Sequence, residues 1–149
     1  MYNVFEREGI NMEKASLKEM LIGIKDNEFR VPQDVEPYQL SLVMMDYIGD
    51  IDGELRDDLI LSILFNWVNS GVLSENEACA LLNIAVDEQH LFKGLGGADD
   101  SVFARTFSVE VIAAIIYRHR RKSFIPESEL KKAFRAVLRF YNEDRDVRG

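Results

Sequence analysis

Two segments of the chain are apolar around nearly the whole circumference of a helix. They run from Leu55 to Val68 and from Phe107 to Tyr117. A helix of this kind needs neighbours on several sides, whereas an amphipathic surface helix needs them on one side only. The pattern therefore predicts an all-α body in which buried inner helices are covered by amphipathic ones.

Capping and stop signals divide the chain into six predicted helices. Capping boxes open at Ser16 and Ser74, where a serine is followed three positions later by Glu, and Asp52 can cap a helix between them. Gly71 provides a left-handed stop, and Pro126 fits the first position of the last helix. The predicted helices cover about 16–28, 37–48, 52–70 and 74–89, then a fifth that begins near 101 and ends among 118–122, and a sixth over 126–141.

Short links group these helices into three hairpins. The spacing between successive pairs is near the range of helical repeats, although no repeated sequence signature accompanies it. We therefore predict an all-α fold of stacked antiparallel helix pairs, a HEAT-like right-handed α-α superhelix, in preference to a four-helix bundle. It should form a single domain over residues 16–149, after a flexible tail at residues 1–15.

The N-terminal residues and the lone cysteine indicate a cytoplasmic protein. Glu6 and Glu8 stand where a secretory signal would carry cations, and no apolar segment follows them. The longest apolar run, 111–117, is far shorter than the roughly 18 residues that span a bilayer, so we expect no membrane association. Cys79 cannot form an internal disulfide and lies among apolar residues, which is typical of a buried thiol in a reducing compartment.

The longest internal loop is the first candidate site. It runs from His90 to Asp100, is rich in glycine and has no hydrophobic period, and loops on rigid scaffolds often carry function. His90, Asp99 and Asp100 could meet across it, but no nucleophile is marked beside them, so we prefer loop packing to catalysis. We expect Arg105 to turn back toward Asp100 or Ser101 and to hold the loop through hydrogen bonds.

Neither a metal nor a cofactor is predicted. His90 and His119 are the two histidines, and neither has a second His or Cys at ligand spacing. The segment Asp50–Glu54 resembles the start of a calcium loop, but Leu55 stands where that loop needs glycine. Lys93–Gly97 lacks the lysine pattern of a phosphate-binding loop and a preceding strand, so we interpret it as a connector.

Cations gather at the end of the fifth predicted helix and along the sixth. At about 100° per residue, those of the sixth helix share one face, opposite an apolar arc that includes Phe134 and Tyr141. A phosphate or an acidic protein would suit this face, whereas the pI of about 4.8 and the lack of interleaved aromatic residues argue against nucleic acid. The candidate anion-binding residues are Arg118, Arg121, Lys131, Lys132, Arg135 and Arg139.

Three segments carry a family likeness: Asp46–Ile60, Asp87–Phe92 and Asp100–Ser108. Together they resemble a bacterial family catalogued as domain of unknown function 2785, with a likeness that covers roughly residues 16–149. The resemblance implies an all-helical, HEAT-like fold and brings no activity, cofactor or catalytic residue. Family members continue past the position of Gly149 into a region with a Gly-Trp-x-His-x-x-x-His-like element, so we expect an N-terminal fragment or a short member.

Three functional hypotheses follow from this organisation. The first, which we prefer, is a non-catalytic helical interaction module that binds a protein partner or a second copy of itself. The second is part of an enzyme site completed by a missing C-terminal region or a second subunit, and no residue decides whether the chain is an enzyme. The third is polyanion binding through the cationic helix faces.

Self-association is a further expectation. A helical stack that stops without a polar capping helix leaves an apolar end open to solvent. Residues 1–100 carry 7 Lys and Arg against 20 Asp and Glu, whereas residues 101–149 carry 11 against 6. We expect Phe134, Leu138, Phe140 and Tyr141 to lie in a two-fold contact, with the cationic face near the acidic first half of the partner, as a salt-sensitive homodimer.

Overall fold

The computed structural model describes residues 12–146 and residue 148, and this part of the chain contains six α-helices and no strand, as the sequence predicts. The helices are α1 (Lys14–Asp26), α2 (Pro37–Asp46), α3 (Ser62–Ser70), α4 (Glu75–Ala85), α5 (Ser101–Arg121) and α6 (Glu127–Glu143), and a π-helical segment, Glu54–Leu61, leads directly into α3. Within these residues no helix is long and apolar enough to cross a membrane. Most of the predicted tail at residues 1–15 lies outside the described residues.

The helices form two layers. In the first, α1 contacts the π-helical segment and α3, and these in turn contact α5. In the second, α2 contacts α4 and α4 contacts α6. α4 also packs across onto α5 and joins the layers. Each layer takes alternate helices of the chain, an arrangement that is compatible with stacked helix pairs.

α3 and α5 are the buried helices of the fold, and the segment 107–117 is helical throughout, as predicted. The buried side chains that they contribute to the core include Ile63, Leu64, Trp67, Val68, Val111, Ile112 and Ile115. Two large apolar side chains of these helices, Phe65 and Tyr117, are exposed instead. Their ring centres lie 5.8 Å apart at the surface. These two side chains help to line an open apolar groove of about 580 Å³ between the two helices.

Trp67 joins α3 to the end of α1. Its side chain is fully buried, and the indole N–H donates a hydrogen bond to the Phe29 carbonyl oxygen at 2.8 Å. Glu28 and Phe29 have φ angles of 58° and 63°, a left-handed conformation that costs roughly 1–2 kcal/mol for a residue other than glycine. The indole therefore satisfies a carbonyl group in the strained turn that ends α1.

One of the two predicted capping boxes is present. The Ser74 hydroxyl accepts a hydrogen bond from the Glu77 amide at 3.1 Å, and the Glu77 carboxylate accepts one from the Ser74 amide at 2.8 Å. The box at Ser16 is wrong, because α1 begins at Lys14 and Ser16 lies inside its first turn. The cause is a backbone hydrogen bond from Leu17 to the Glu13 carbonyl, 2.9 Å long, which starts the helix earlier.

The end of α4 also differs from the prediction. The helix stops at Ala85 rather than near Gln89. The Leu91 amide donates to the Ala85 carbonyl at 3.2 Å, and the Asp87 carboxylate accepts a hydrogen bond from the Gln89 amide at 2.8 Å. These bonds satisfy groups that would otherwise continue the helix, so the chain turns toward the candidate loop.

Gly49 permits a close crossing between the chain after α2 and α5. A Cβ atom added to Gly49 would lie 2.6 Å from the Ala104 Cβ and 2.8 Å from the Ala104 Cα and backbone nitrogen. Backbone at this distance cannot give way as the tip of a flexible side chain can. Gly23 is the contrasting case, because a Cβ on this exposed residue of α1 would meet nothing within 4 Å.

Replacement of Trp67 by alanine should lower the free energy of unfolding by about 3–5 kcal/mol, because it leaves a cavity in the core. Trp67→Phe should cost less, since it keeps a buried ring and removes only the donor to the Phe29 carbonyl. Phe65→Ala, at a half-exposed position of the same helix, is the control and should cost clearly less. Urea denaturation measures all three, and a loss below about 1 kcal/mol for Trp67→Ala would contradict the burial.

The two glycines should respond in opposite directions to alanine. Gly49→Ala should lower the free energy of unfolding by about 1–3 kcal/mol, because its Cβ overlaps the backbone of α5. Gly23→Ala should raise it by about 0.5–1 kcal/mol, because alanine has the higher helix propensity and no contact opposes it. Thermal and urea unfolding of both variants checks this pair, and equal effects would show that the crossing at Ala104 is not tight.

Candidate functional site

Arg105 organises the loop between α4 and α5. Its side chain is fully buried, and one guanidinium nitrogen donates to the carbonyl oxygens of Lys93 and Gly94 at 2.8 and 3.1 Å. The same nitrogen donates to the Ser101 Oγ at 2.8 Å. The predicted turn of Arg105 back toward Ser101 is therefore present, and hydrogen bonds hold the loop as expected.

Asp144 is the charged partner of Arg105, and sequence reasoning missed it. The guanidinium donates to both carboxylate oxygens at 3.1 Å, and the Asp144 side chain is only 7% exposed. Bidentate geometry is the strongest arrangement for such a pair, and a buried arginine needs an opposite charge. The pair ties the loop to the residue that directly follows α6.

The chain after α6 closes over the same loop. An Arg148 nitrogen donates to the Asp99 carbonyl oxygen at 2.6 Å, and another lies 3.6 Å from the Asp100 carboxylate. Hydrogen bonds from Arg148 lower the pKa of Asp146 to about 2. We call this set the Arg105 network; its members are Lys93, Gly94, Asp99, Asp100, Ser101, Arg105, Asp144, Asp146 and Arg148.

The contacts of the buried His90 lie elsewhere. Its Nδ1 lies 2.7 Å from the Asp87 carboxylate, and its Nε2 lies 3.2 Å from the Met45 carbonyl oxygen. Both ring nitrogens are thus engaged away from Asp99, whose carboxylate accepts hydrogen bonds from the Ser101 amide and hydroxyl. The Ser101 hydroxyl lowers the pKa of Asp99. The structure therefore gives no support to a His90–Asp99–Asp100 catalytic set.

The acidic segment Asp50–Glu54 pairs with lysines of α1. Lys14 Nζ lies 2.6 Å from the Asp50 carboxylate, and Lys18 Nζ lies 2.9 Å from the Asp52 carboxylate. The hydrogen bond from Lys18 lowers the pKa of Asp52. Over the part of the chain that the structure describes, no group of three or more His, Cys, Asp or Glu side chains is placed to hold a metal ion.

Two of the six candidate anion-binding residues bind the end of α3. Arg118 donates to the carbonyl oxygens of Val68 and Leu73 at 3.1 and 2.7 Å. Arg121 donates to the backbone and side-chain oxygens of Asn69, each at 3.0 Å. Cations favour a helix C-terminus because its last carbonyl groups are unpaired. Here the arginines lie on α5, but the carbonyl groups that they satisfy are at the end of α3.

The α6 cations differ in their pairing. Lys131 and Arg139 contact glutamates at 2.7 and 3.0 Å, and the Arg139 guanidinium also lies 4.1 Å from the centre of the Phe92 ring. Lys132 and Arg135 are exposed, and among the described residues neither has an acidic side chain within 4.0 Å. These two cations therefore remain as candidate contacts for an anionic group.

Three large apolar side chains form an exposed row on α6, which we call the α6 stripe. The exposed fractions of Phe134, Leu138 and Tyr141 are 55%, 60% and 80%. Their i, i+4, i+7 spacing places them on one side of the helix. Phe140, which the sequence groups with them, is partly buried and packs against the core, and Ala133 on the same side is buried.

Arg56 is a buried charged residue that sequence reasoning also missed. Its guanidinium lies 4.3 Å from the centre of the Phe103 ring and 4.5 Å from that of the Phe107 ring, and it contacts Asp57 at 2.6 Å. The two phenylalanines are four residues apart on α5, so their rings can flank one side chain. The available signal was weak, because Arg56 stands among the charged residues Glu54, Asp57 and Asp58 and resembles an exposed helix start.

Comparison with known proteins gives one match. A family model described as a protein of unknown function, DUF2785, matches residues 91–149, which is less than half of the chain. The match supports similarity to an uncharacterised family, and it covers the whole Arg105 network. Of the three segments that carry the family likeness in the sequence, the match leaves out 46–60 entirely and includes only the last two residues of 87–92. No curated protein and no solved structure shows significant similarity to this chain.

Loss of one partner of the buried pair should destabilise the fold. Arg105→Met or Asp144→Leu should lower the free energy of unfolding by about 3–5 kcal/mol, because each leaves the other charged group buried without its partner. The double variant Arg105→Met/Asp144→Leu should cost less than the sum of the two single changes. Arg148→Ala, at the half-exposed edge of the network, should cost about 0–1 kcal/mol. Additive effects in a urea-melt cycle would contradict the coupling.

Proposed function

We propose that this chain is a non-catalytic helical interaction module that binds another protein through the α6 stripe. The observation that carries this proposal is the exposure of Phe134, Leu138 and Tyr141 in one row on a helix whose other side packs against the body. Single exposed apolar residues are common on protein surfaces, whereas a contiguous row is typical of an interaction site.

The surrounding structure supports rigid presentation of the stripe. α6 rests on α4, and the Arg105–Asp144 pair fixes the residue that follows the helix. We infer that the chain is a HEAT-like stack in which α6 offers a face that is already ordered. A preordered face loses little conformational entropy when a partner binds.

The contacts of the candidate loop favour a structural role over a catalytic one. Arg105 satisfies two backbone carbonyl groups and Ser101, and His90 contacts Asp87 and a backbone carbonyl group. These bonds account for the buried polar groups of the loop without a substrate. The proposal therefore assigns binding to α6 and leaves the loop as its support.

Cys79 is a free thiol, which is typical of a protein in a reducing compartment, and we infer the cytoplasm. The thiol is half-buried, and burial raises its pKa, so it remains protonated near neutral pH. A protonated thiol is a poor nucleophile for disulfide exchange. The residue therefore behaves as a small core side chain.

Site-specific photocrosslinking tests the proposal. A photoreactive amino acid in place of Leu138 should give a discrete adduct in cells of the source organism, and the same group at the exposed position Arg120 on α5 should not. An adduct near twice the 17.1 kDa of the chain would identify a second copy as the partner. No adduct at position 138, or the same adducts at position 120, would contradict an interaction site on α6.

A further inference from the structure

We infer that the partner of the α6 stripe is an acidic amphipathic helix, which lies along α6 with its apolar side on the stripe and its carboxylates beside Lys131 and Arg135. This inference rests on the proposed function and specifies the charge and secondary structure of the partner. It is carried by the order of three surfaces around α6. These surfaces are a packed side, the apolar stripe and a cationic edge.

The cationic edge lies on one side of the stripe only. At about 100° per residue, Phe134, Leu138 and Tyr141 fall within an arc of about 60°. Lys131, Arg135, Arg139 and Lys132 follow next around the helix, within a further arc of about 100°. On the other side of the stripe lie the packed residues Ala133, Val137 and Phe140. A partner on the stripe is therefore bordered by the protein body on one side and by cations on the other.

The spacing of the three anchors fits a helical partner. From Phe134 to Tyr141 the stripe extends about 10 Å along the axis, which corresponds to two turns of a helix. An amphipathic helix presents apolar side chains at the same i, i+4, i+7 interval, so the two rows can interdigitate. Carboxylates at the edge of that helix then come within reach of Arg135 and Lys131, the two cations next to the stripe, and the Lys131 side chain is 62% exposed beside Glu127.

Charge disfavours a second copy of α6 as the occupant. In an antiparallel pair related by a two-fold axis, the same edge of both helices faces the same side. The edge that holds Lys131 and Arg135 would meet its own copy, and like charges across an interface repel. An acidic edge on the partner removes this repulsion and replaces it with attraction.

An anionic membrane surface fits less well. A helix that lies in a bilayer interface carries cations along its polar face and a broad apolar side buried in lipid. On α6 the side opposite the cationic edge is packed against the body, and only three apolar side chains are free to enter lipid.

The experiment uses three labelled synthetic peptides of equal length with the protein as a full chain. The first is an amphipathic helix with leucine at i, i+4 and i+7 and glutamate along one edge. The second has lysine along that edge, and the third keeps glutamate but has serine at the leucine positions. Fluorescence anisotropy gives Kd at low and high salt. Anionic vesicles and polyglutamate are tested beside the peptides.

The glutamate–leucine peptide should bind most tightly, and salt should weaken it. Lys131→Glu/Arg135→Glu should raise its Kd by about tenfold or more, because two attractive contacts become repulsive. The matched variant Arg120→Glu/Lys122→Glu changes the charge equally at the exposed end of α5 and should change Kd by less than about twofold. Leu138→Ser should abolish binding, while circular dichroism confirms that each variant is folded.

Four outcomes would overturn the inference. They are equal binding of the lysine peptide, equal binding of the serine peptide or polyglutamate, preference for vesicles, and equal effects of the two double variants. A crosslink at position 138 combined with any of these outcomes would leave the proposed interaction site standing and remove only the acidic helix. Loss of the crosslink and of peptide binding together would remove both.

Discussion

The packing of α3 against α5 is the contact on which the other features depend. Each helix is apolar around most of its circumference, so each needs cover on several sides. α1 and the π-helical segment supply cover in one layer, and α4 supplies it from the other. The position of α5 in turn determines where the loop before it and the helix after it lie. The Arg105 network and the α6 stripe are therefore set by this contact.

Most charged groups that the sequence offers as candidate sites are engaged by the fold itself. Arg118 and Arg121 bind the end of α3, Lys14 and Lys18 bind the acidic segment before the π-helical segment, and Arg105 binds Asp144. Burial of an arginine without a partner would be strongly unfavourable, which explains the close pairing of Arg105. The cations of α6 that border the apolar stripe, Lys131 and Arg135, are exposed and remain available for binding.

Features that depend on residues close together in the sequence were predicted more successfully than features that depend on distant residues. The capping box at Ser74 and the helical state of 107–117 were predicted correctly, because they depend on residues within a few positions of one another. The box at Ser16 has the same local pattern, yet α1 begins before it. A serine pattern shows only that a cap can form. The start of α1 also depends on how the residues before it pack, and there the Tyr47 hydroxyl donates a hydrogen bond to the Met12 carbonyl oxygen at 2.8 Å.

The sequence by itself determined an all-helical body, its two buried helices and the amphipathic character of α6, because periodicity is a property of each helix alone. Only the tertiary structure decided that Arg105 pairs with Asp144, that His90 is engaged by Asp87 and Met45, and that Phe140 is packed while Phe134 is exposed. Several of these facts depend on which helices become neighbours, and the paired residues Arg105 and Asp144 are 39 positions apart in the chain. Periodicity shows which side of α6 is apolar, but only the neighbours of α6 determine how much of that side is covered.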